Sequence, residues 1–343
     1  MMKIFLITII ISLFSISCIS QDNEVKEIKV VPPLYGVYFG AFACGSTEDS
    51  VTPDRLNEIK KISGFTPAWI YFSNNWYKKI KFPAREVKTI YDFGSIPFIR
   101  MMPRTDFAAY SHDPVYNLKK IINGNFDKDL KKWAEDARDS KIPMMVEFGT
   151  EVNGNWFPWS GALNGRDPQR FVMAYRHIIE LFKNESALNI TWVFHVDADS
   201  DPDEEWNNMA AYYPGDDYID WIGVSVYGAQ SRDEEIVNFI ESFDSTYKKL
   251  SAISQNKPLG IFEFGTIENP VREIKAAWIK SVFETIRDDR YPRIKALGYW
   301  HSIWKNDDGS VSDMRLDSSP EVLKVAQEML SNTLFRQKIV LKN

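Results

Sequence analysis

Glu151 is the residue whose surroundings in this sequence point most directly to acid–base chemistry. It follows the apolar run Met144–Phe148, which ends at Gly149 and predicts a short buried strand. A carboxylic acid at the end of such a strand is partly desolvated, which raises its pKa and suits it to general acid catalysis. Side chains that could bind a sugar chain follow at once, namely Asn153, Trp156 and Trp159. The alternative is a buried structural glutamate among core aromatic residues.

A second glutamate, Glu263, lies between two phenylalanines at the end of another apolar run. A carboxylate there is costly unless a partner satisfies it. The Tyr227 hydroxyl could donate to it, although Tyr227 could equally be a packing aromatic residue. Glu151 and Glu263 together fit the two-carboxylate hydrolysis of a glycosidic bond. Glu147 lies inside its strand, and we interpret it as structural.

The composition excludes several other classes of protein. A net charge of -6 with no basic block argues against binding to nucleic acid. Four His and two Cys argue against a zinc cluster or a disulfide framework, so we expect neither metal nor cofactor. The 11 Trp are an unusual load and are typical of carbohydrate-binding clefts as well as of large cores. A poly- or oligosaccharide is therefore the expected partner, bound by a monomer.

The N-terminus predicts an export signal over residues 1–20. Lys3 precedes the apolar run Ile4–Ile16, which is too short to cross a bilayer comfortably. The tetrapeptide ending at Cys18 resembles a bacterial lipobox, which would make Cys18 a lipid-anchored first residue. Ordinary cleavage after Cys18 or Ser20 and an uncleaved anchor are the alternatives. Residues 21–32 are interpreted as a tether, Cys44 is given no role beyond packing, and the protein is expected to be secreted, periplasmic or on the cell surface.

The rest of the chain alternates between short apolar strands and amphipathic helices. Eight such units in a chain of this length predict a single (β/α)8 TIM barrel over residues 33–334, followed by a tail at 335–343. An open doubly wound sheet is the rival, but no strand leads into a glycine-rich phosphate turn. The predicted strands are Leu34–Phe42, Ala68–Phe72, Ser95–Met101, Met144–Phe148, Asn189–Val196, Tyr218–Tyr227, Leu259–Phe264 and Ile294–Trp300.

A barrel of this kind carries its active site at the carboxyl ends of the strands. Glu151 and Glu263 lie at two of those ends, so they should face each other across the mouth. Trp76, His195 and Trp300 lie at three others. We predict that they contact sugar, with a hydrogen-bonded structural role as the alternative for His195. The long irregular loop 103–116 should cover one end of the barrel.

The segment EVNGNWFPW, which contains Glu151, resembles the acid/base motif of glycoside hydrolase family 26. Further segments resemble parts of that family in the expected order, especially its lichenase-like branch, and the resemblance extends over Ile121–Met329. They are IINGNFDKDLKKWAEDARDSKIPMMVEFGTE, YIDWIGVSVYG, LGIFEFG, RYPRIKALGYWHSIW and SDMRLDSSPE.

The resemblance implies a clan A barrel with Glu151 as acid/base and Glu263 as nucleophile, and with Tyr227 orienting the nucleophile. It also places Trp156 and Trp300 at the sugar subsites nearest the cut bond. The family retains anomeric configuration, for which carboxyl groups about 5–5.5 Å apart are expected, whereas about 6.5–9.5 Å would indicate inversion.

Two positions depart from the family pattern. Thr150 stands where family mannanases usually have histidine, and Ser225 stands in a strand motif that commonly reads Gly-x-Asp-x-Tyr. The family cuts β-1,4-mannan, mixed-linkage β-1,3-1,4-glucan or β-1,3-xylan, and the two departures unsettle the choice of substrate. The FPW segment favours the glucanase-like branch, whereas mannan is the commonest substrate of the family, so these two are the leading substrates. The alternative is a surface lipoprotein that binds glycans on a degenerate barrel without cleaving them.

Overall fold

The computed structural model describes residues 27–43, 47–107, 110–235, 237–268, 274–306 and 308–342. A short strand, β1 (Lys29–Val31), is followed by eight parallel strands that close into a barrel, as predicted. The barrel strands are β2 (Tyr38–Phe42), β3 (Trp69–Asn75), β4 (Ile96–Met102), β5 (Met144–Phe148), β6 (Ile190–Asp197), β7 (Trp221–Tyr227), β8 (Leu259–Gly265) and β9 (Ile294–Trp300).

Helices cover the outside of the barrel. Several begin where a capping side chain precedes proline, as at Asp167, whose carboxylate accepts from the Gln169 N–H at 3.1 Å. The helices are α1 (Pro53–Ser63), α2 (Ala84–Phe93), α3 (Leu118–Ile122), α4 (Asp127–Ser140), α5 (Pro168–Asn184), α6 (Phe239–Ile253), α7 (Lys275–Arg287) and α8 (Pro320–Leu330). A hairpin, β10 (Ile303–Lys305) and β11 (Val311–Asp313), follows β9.

Side chains along each barrel strand alternate between the interior and the helix layer. On β5, Val146 and Phe148 pack against the helices, whereas Met145 faces the interior. The same alternation turns Glu147 inward, because its carboxylate contacts side chains of three other strands. The lower interior, toward the amino ends of the strands, is filled with aromatic rings: Tyr38, Trp69, Phe98, Trp221 and Phe262.

An irregularity in β8 changes the direction of Glu263. The pairing with β7 passes from Val224–Ile261 directly to Ser225–Glu263, so Phe262 is an extra residue on the β8 side. Such a bulge lets two successive side chains face the same way. Phe262 therefore fills the lower interior while Glu263 still points inward, and strict alternation would have turned one of them toward the helices.

The lower end of the barrel is closed by both ends of the described chain. Strand β1 pairs antiparallel with β12 (Val340–Lys342). The Val30 N–H donates to Thr191 Oγ1 at 2.8 Å, and the Trp221 Nε1–H donates to the Val30 carbonyl at 2.8 Å. The end of the predicted tether and the predicted tail are thus ordered parts of the barrel floor.

Two other expectations concern the N-terminal half. The first strand begins at Tyr38 and not at Leu34, which is fully exposed. The export signal at residues 1–20, with Cys18, and also Cys44 lie outside the described residues. Within the residues described, no helix has the length and hydropathy that crossing a bilayer requires.

Candidate active site

A cleft of about 880 Å³ opens at the carboxyl ends of the barrel strands. Its charged lining is mostly acidic, with Glu48, Glu151, Asp197, Glu234 and Glu263 against Arg100. Its aromatic lining consists of Phe42, Phe107, Tyr110, Trp156, Phe157, Tyr227, Trp300 and Trp304. The cleft therefore combines two glutamates from the ends of β5 and β8 with flat apolar surfaces.

Glu151 is held at the rim by an unusual turn after β5. Gly149 has φ 61°, and Glu151 itself has φ 53°, in the left-handed region that costs a non-glycine residue about 1–2 kcal/mol. The Glu151 N–H donates to the His195 carbonyl at 3.0 Å, and its Oε2 accepts from the Trp156 indole at 2.9 Å. Backbone and side chain are thus both fixed, and the carboxyl group keeps a face toward the cleft.

Glu263 lies deeper, and its carboxylate is almost completely enclosed. Tyr227 donates to its Oε2 at 2.6 Å, while the Tyr71 hydroxyl lies 3.0 Å from Oε1 and Arg100 Nη2 lies 3.4 Å from Oε1. Burial raises the pKa of Glu263 to about 7; Arg100 opposes this shift, and the charge of Glu151 adds to it. The predicted contact between Tyr227 and this carboxylate is present.

Tyr71 and Arg100 belong to the site, although the sequence patterns did not indicate either of them. Both are buried, on β3 and β4, and both face the interior. The Arg100 guanidinium lies 5.0 Å from the centre of the Trp300 ring and 5.4 Å from that of Tyr71. Each lies inside a strand that the sequence showed as nearly continuous apolar residues, so only the register of the barrel reveals their direction.

His195 does not reach the cleft, contrary to the prediction that it contacts sugar. Its side chain is fully buried, with Nδ1 2.7 Å from Glu147 Oε2. Burial alone would lower the pKa of His195, but the Glu147 carboxylate raises it above its ordinary value. His195 and Glu147 form a buried pair one level below the two cleft glutamates.

The two departures from the family pattern meet at this histidine. Thr150 Oγ1 lies 3.2 Å from His195 Nδ1, and Ser225 Oγ lies 3.0 Å from its Nε2. Both residues are completely buried. Neither lines the cleft, so neither can contact substrate as the structure stands.

The predicted sugar-binding tryptophans separate into two groups. Trp156 and Trp300 line the cleft, and the Trp300 ring stacks on Phe42 with centroids 3.7 Å apart. Trp76 and Trp159 are buried in the core between barrel and helices, so their predicted contact with sugar is wrong. The Trp159 indole donates to the Thr150 carbonyl at 2.7 Å, which braces the turn before Glu151.

Asn153 is also structural, although its sequence neighbours suggested substrate binding. Its side chain is fully buried, donates to the Asp197 carbonyl at 2.9 Å and accepts from the Asp197 N–H at 2.8 Å. It joins the loop after β5 to the end of β6. Asp197 itself lines the cleft, and burial and the charge of Glu151 raise the pKa of its carboxyl group.

Further cleft residues come from loops where spacing gives little guidance. Phe107 and Tyr110 belong to the irregular segment before α3, and Trp304 belongs to β10 of the hairpin after β9. Arg104 lies 4.3 Å from the centre of the Phe107 ring. The long loop predicted at 103–116 is the one signal that could have found the first two.

Among the described residues, two groups have spacing that a cation could use. In the first, Glu58 and Asp317 each lie 3.9 Å from His301 Nε2. However, His301 Nδ1 accepts from the Leu316 N–H at 3.0 Å. The proton of a neutral imidazole is then on Nε2, which faces the carboxylates as a donor rather than as a ligand.

The second group is Glu147, His195 and Glu263. Arg100 already supplies a positive charge there, with Nε 3.7 Å from Glu147 Oε1 and Nη2 3.4 Å from Glu263 Oε1. A cation would have to displace or oppose that guanidinium. In the first group a proton, and in the second the Arg100 guanidinium, already faces the carboxylates where a cation would bind.

The chain is similar in sequence to known glycoside hydrolases. The sequence model of glycosyl hydrolase family 26 matches residues 106–297. Endoglucanase H of Acetivibrio thermocellus is 25% identical over 96% of this chain and 33% of its own length. A mannan endo-1,4-beta-mannosidase of Bacillus subtilis is 23% identical over 78% of this chain and 75% of its own length. The chain thus spans only a third of the endoglucanase.

Solved structures agree on the fold. The catalytic domain of a GH26 endo-β-1,4-mannanase from Bacillus sp. JAMB-750 superposes with a TM-score of 0.64. That likeness covers 88% of this chain and 87% of the other at 19% sequence identity.

Proposed function

Because this chain belongs to glycosyl hydrolase family 26, we propose that it is a retaining endo-β-glycanase that uses Glu151 and Glu263. The observation that carries the proposal is that these two carboxyl groups line one cleft from the ends of β5 and β8. The aromatic walls around them suit the flat faces of sugar rings.

In the first step, Glu263 attacks the anomeric carbon while Glu151 gives its proton to the leaving glycosidic oxygen. The bond to the leaving sugar breaks, and an ester between Glu263 and the retained sugar forms. Tyr227 and Arg100 hold the Glu263 carboxylate in position for this attack, at 2.6 Å and 3.4 Å. The position of Glu151 at the rim, against the Trp156 indole, suits protonation of the departing chain.

In the second step, Glu151 takes a proton from water, and the resulting hydroxide attacks the anomeric carbon of the ester. Glu263 leaves as a carboxylate, and the sugar is released with its original anomeric configuration. The carboxyl group of Glu151 returns to its protonated form. No residue beyond the pair has to exchange a proton with substrate.

An uncharged β-glucan or β-mannan is the substrate class that we propose. Among the described residues, five acidic side chains and one arginine line the cleft, and this charge would repel an anionic polysaccharide such as a polyuronate. A β-glucan is supported by the similarity to Endoglucanase H along nearly the whole chain. β-1,4-Mannan is supported by the similarity to the Bacillus subtilis mannosidase.

The proposal is tested with purified protein on lichenan, barley β-glucan, mannan and β-1,3-xylan side by side. Release of shorter oligosaccharides from one of these is the expected result, and Glu263→Ala should abolish it while keeping the wild-type melting temperature within a few degrees. Full activity of Glu263→Ala would contradict the assignment. Binding of a glycan by calorimetry without turnover would instead favour the alternative, a surface protein that captures glycans.

The N-terminal sequence adds the proposal that the protein is exported as a monomer and anchored through an acylated Cys18. A basic and apolar start followed by a lipobox-like tetrapeptide supports it. Mass spectrometry of the protein expressed with its full signal would test this. A mature chain that begins at a lipid-modified Cys18 is expected, and a chain that begins after Cys18 would contradict anchoring.

A further inference from the structure

We propose that Glu147 is a positioning residue for Glu263, acting through the single hydroxyl proton of Tyr71 and through His195. The inference rests on the proposed function, in which Glu263 is the nucleophile. Glu147 touches no part of the cleft, and its side chain is 1% exposed. Its influence would therefore pass entirely through hydrogen bonds inside the barrel.

Tyr71 lies between two carboxylates and has one proton to donate. Its hydroxyl hydrogen-bonds to Glu147 Oε1, which is its nearest acceptor, and lies 3.0 Å from Glu263 Oε1 and 3.3 Å from His195 Nδ1. A hydroxyl donates to one acceptor at a time, and the closer carboxylate takes the proton. Glu263 Oε1 then faces the phenol oxygen without receiving its proton, so it stays more basic and more nucleophilic than a carboxylate with two strong donors.

His195 fixes the other oxygen of Glu147. Its Nδ1 lies 2.7 Å from Glu147 Oε2, and Ser225 Oγ lies 3.0 Å from its Nε2. The serine hydroxyl can accept a proton from Nε2, so both imidazole nitrogens can act as donors. This arrangement accommodates an imidazolium, whose charge balances that of Glu147. Thr150 and Ser225, which the sequence analysis singled out as departures from the family motifs, both contact this histidine.

The side chains of Tyr71, Glu147, His195 and Glu263 form one set that is almost completely buried and lies near other ionisable groups. Arg100 on β4 contacts both carboxylates, with Nε 3.7 Å from Glu147 and Nη2 3.4 Å from Glu263. Other ionisable groups that act on the set are Glu151 after β5, Asp197 at the end of β6, Tyr227 at the end of β7 and Tyr175 on α5.

Glu147→Gln separates this role from a packing role because it keeps the shape and removes the charge. An amide oxygen is a weaker acceptor than a carboxylate, so the Tyr71 proton turns to Glu263. Without the Glu147 carboxylate, His195 also loses its proton. The variant thus removes one negative and one positive charge, and their effects on the pKa of Glu263 largely cancel. The net change at Glu263 is therefore one added hydrogen bond, which lowers its pKa and its nucleophilicity.

The kinetic test is the pH profile of kcat/KM on the polysaccharide found above. For Glu147→Gln, the apparent pKa of the acidic limb should shift down by about one pH unit. The plateau value of kcat/KM should decrease roughly ten- to a hundredfold. Adding Tyr71→Phe to Glu147→Gln should return the limb to its wild-type position, because the donor is gone. Tyr71→Phe alone should leave the limb nearly unmoved.

Asp127→Asn is the matched control. Asp127 lies 2.7 Å from His177 Nε2 outside the barrel, so this variant also takes a carboxylate from a histidine. It should leave the pH profile unchanged. An unmoved acidic limb in Glu147→Gln, or a limb that does not return when Tyr71→Phe is added, would overturn the proposal.

A measurement without substrate keeps the inference separate from the proposed function. With only four His in the chain, the imidazole signals of wild-type protein can be assigned by NMR through single substitutions. His195 should be an imidazolium at pH 7, and a neutral ring there would overturn the proposal even if Glu147→Gln fails to fold. If the protein hydrolyses no glycan but His195 is an imidazolium, the proposed function is refuted, whereas the charged pair of His195 and Glu147 stands.

Discussion

The two ends of the barrel interior differ in the kind of side chain that fills them. The lower end is an aromatic plug, where Phe262 lies against Trp69, Phe98 and Trp221 at centroid distances of 5.0–6.0 Å. The upper end holds buried charges and a glutamate with a left-handed backbone, Glu151. Since both ends belong to the same strands, the contrast shows that stability is concentrated below and that the costs of a reactive site are concentrated above.

The largest effect should come from the upper end. Glu151→Ala removes the group that protonates the leaving oxygen, so kcat on polymer should fall by about 10³–10⁴-fold. The melting temperature should change little because, in the described part of the chain, the carboxylate has one side-chain hydrogen-bond partner, Trp156. Azide, acting as a small nucleophile in the second step, should restore turnover of an aryl glycoside. Undiminished kcat in this variant would remove Glu151 from the chemistry.

The lower end should show the reverse behaviour. Trp221→Ala empties part of the aromatic plug and breaks the hydrogen bond to Val30 that ties β1 to the floor. The free energy of unfolding should fall by about 3–5 kcal/mol, while kcat per folded molecule stays near that of the wild type. Urea unfolding and active-site titration measure the two quantities. A large loss of kcat without a loss of stability would contradict the division between the ends.

Burial of Glu263 should make the upper end a source of instability that depends on pH. Its folded-state pKa is raised from 4.5 to about 7, so stability is lost as the pH rises through that interval. Glu263→Gln should therefore match the wild type near pH 4 and exceed it by roughly 3 kcal/mol above pH 7. Urea unfolding at both pH values tests this. If Glu263→Gln and the wild type differ in free energy of unfolding by the same amount at both pH values, burial does not destabilise the ionised carboxylate.

The smallest effect concerns the glycines beside the plug. A Cβ at Gly223 would lie 2.3 Å from Phe262 Cδ2, so Gly223→Ala should destabilise the barrel by about 1–3 kcal/mol. Phe262→Leu provides room for the added methyl group. The double variant should therefore lose less free energy of unfolding than the sum of the losses in the two single variants. Additive losses in urea unfolding would show that the ring and the glycine are not in contact.

The sequence was sufficient for the barrel and for the strand ends that carry Glu151 and Glu263. It could not give the direction of side chains inside nearly continuous apolar strands. Glu147 was interpreted as structural and His195 as a sugar contact, yet the barrel register places them together below the cleft. The bulge at Phe262 was equally hidden, because it depends on pairing with β7.

Tryptophans near the acid/base glutamate illustrate the same limit. Trp156 and Trp159 are three positions apart in one loop. The turn at Gly149 and the hydrogen bond to Thr150 carry Trp159 into the core, whereas Trp156 stays against Glu151. Residue type and spacing fit a buried tryptophan and a cleft tryptophan equally well. Only the path of the turn therefore distinguishes Trp159 from Trp156.

The most direct test of the proposed chemistry is to trap the glycosyl-enzyme. A 2,4-dinitrophenyl glycoside of 2-deoxy-2-fluoro-cellobiose or of its mannobiose counterpart should inactivate the enzyme, since the fluorine slows the second step more than the first. Peptide mapping by mass spectrometry should then find the sugar on Glu263. A label on another carboxylate, or turnover of the natural substrate with inversion and no label, would contradict the assignment.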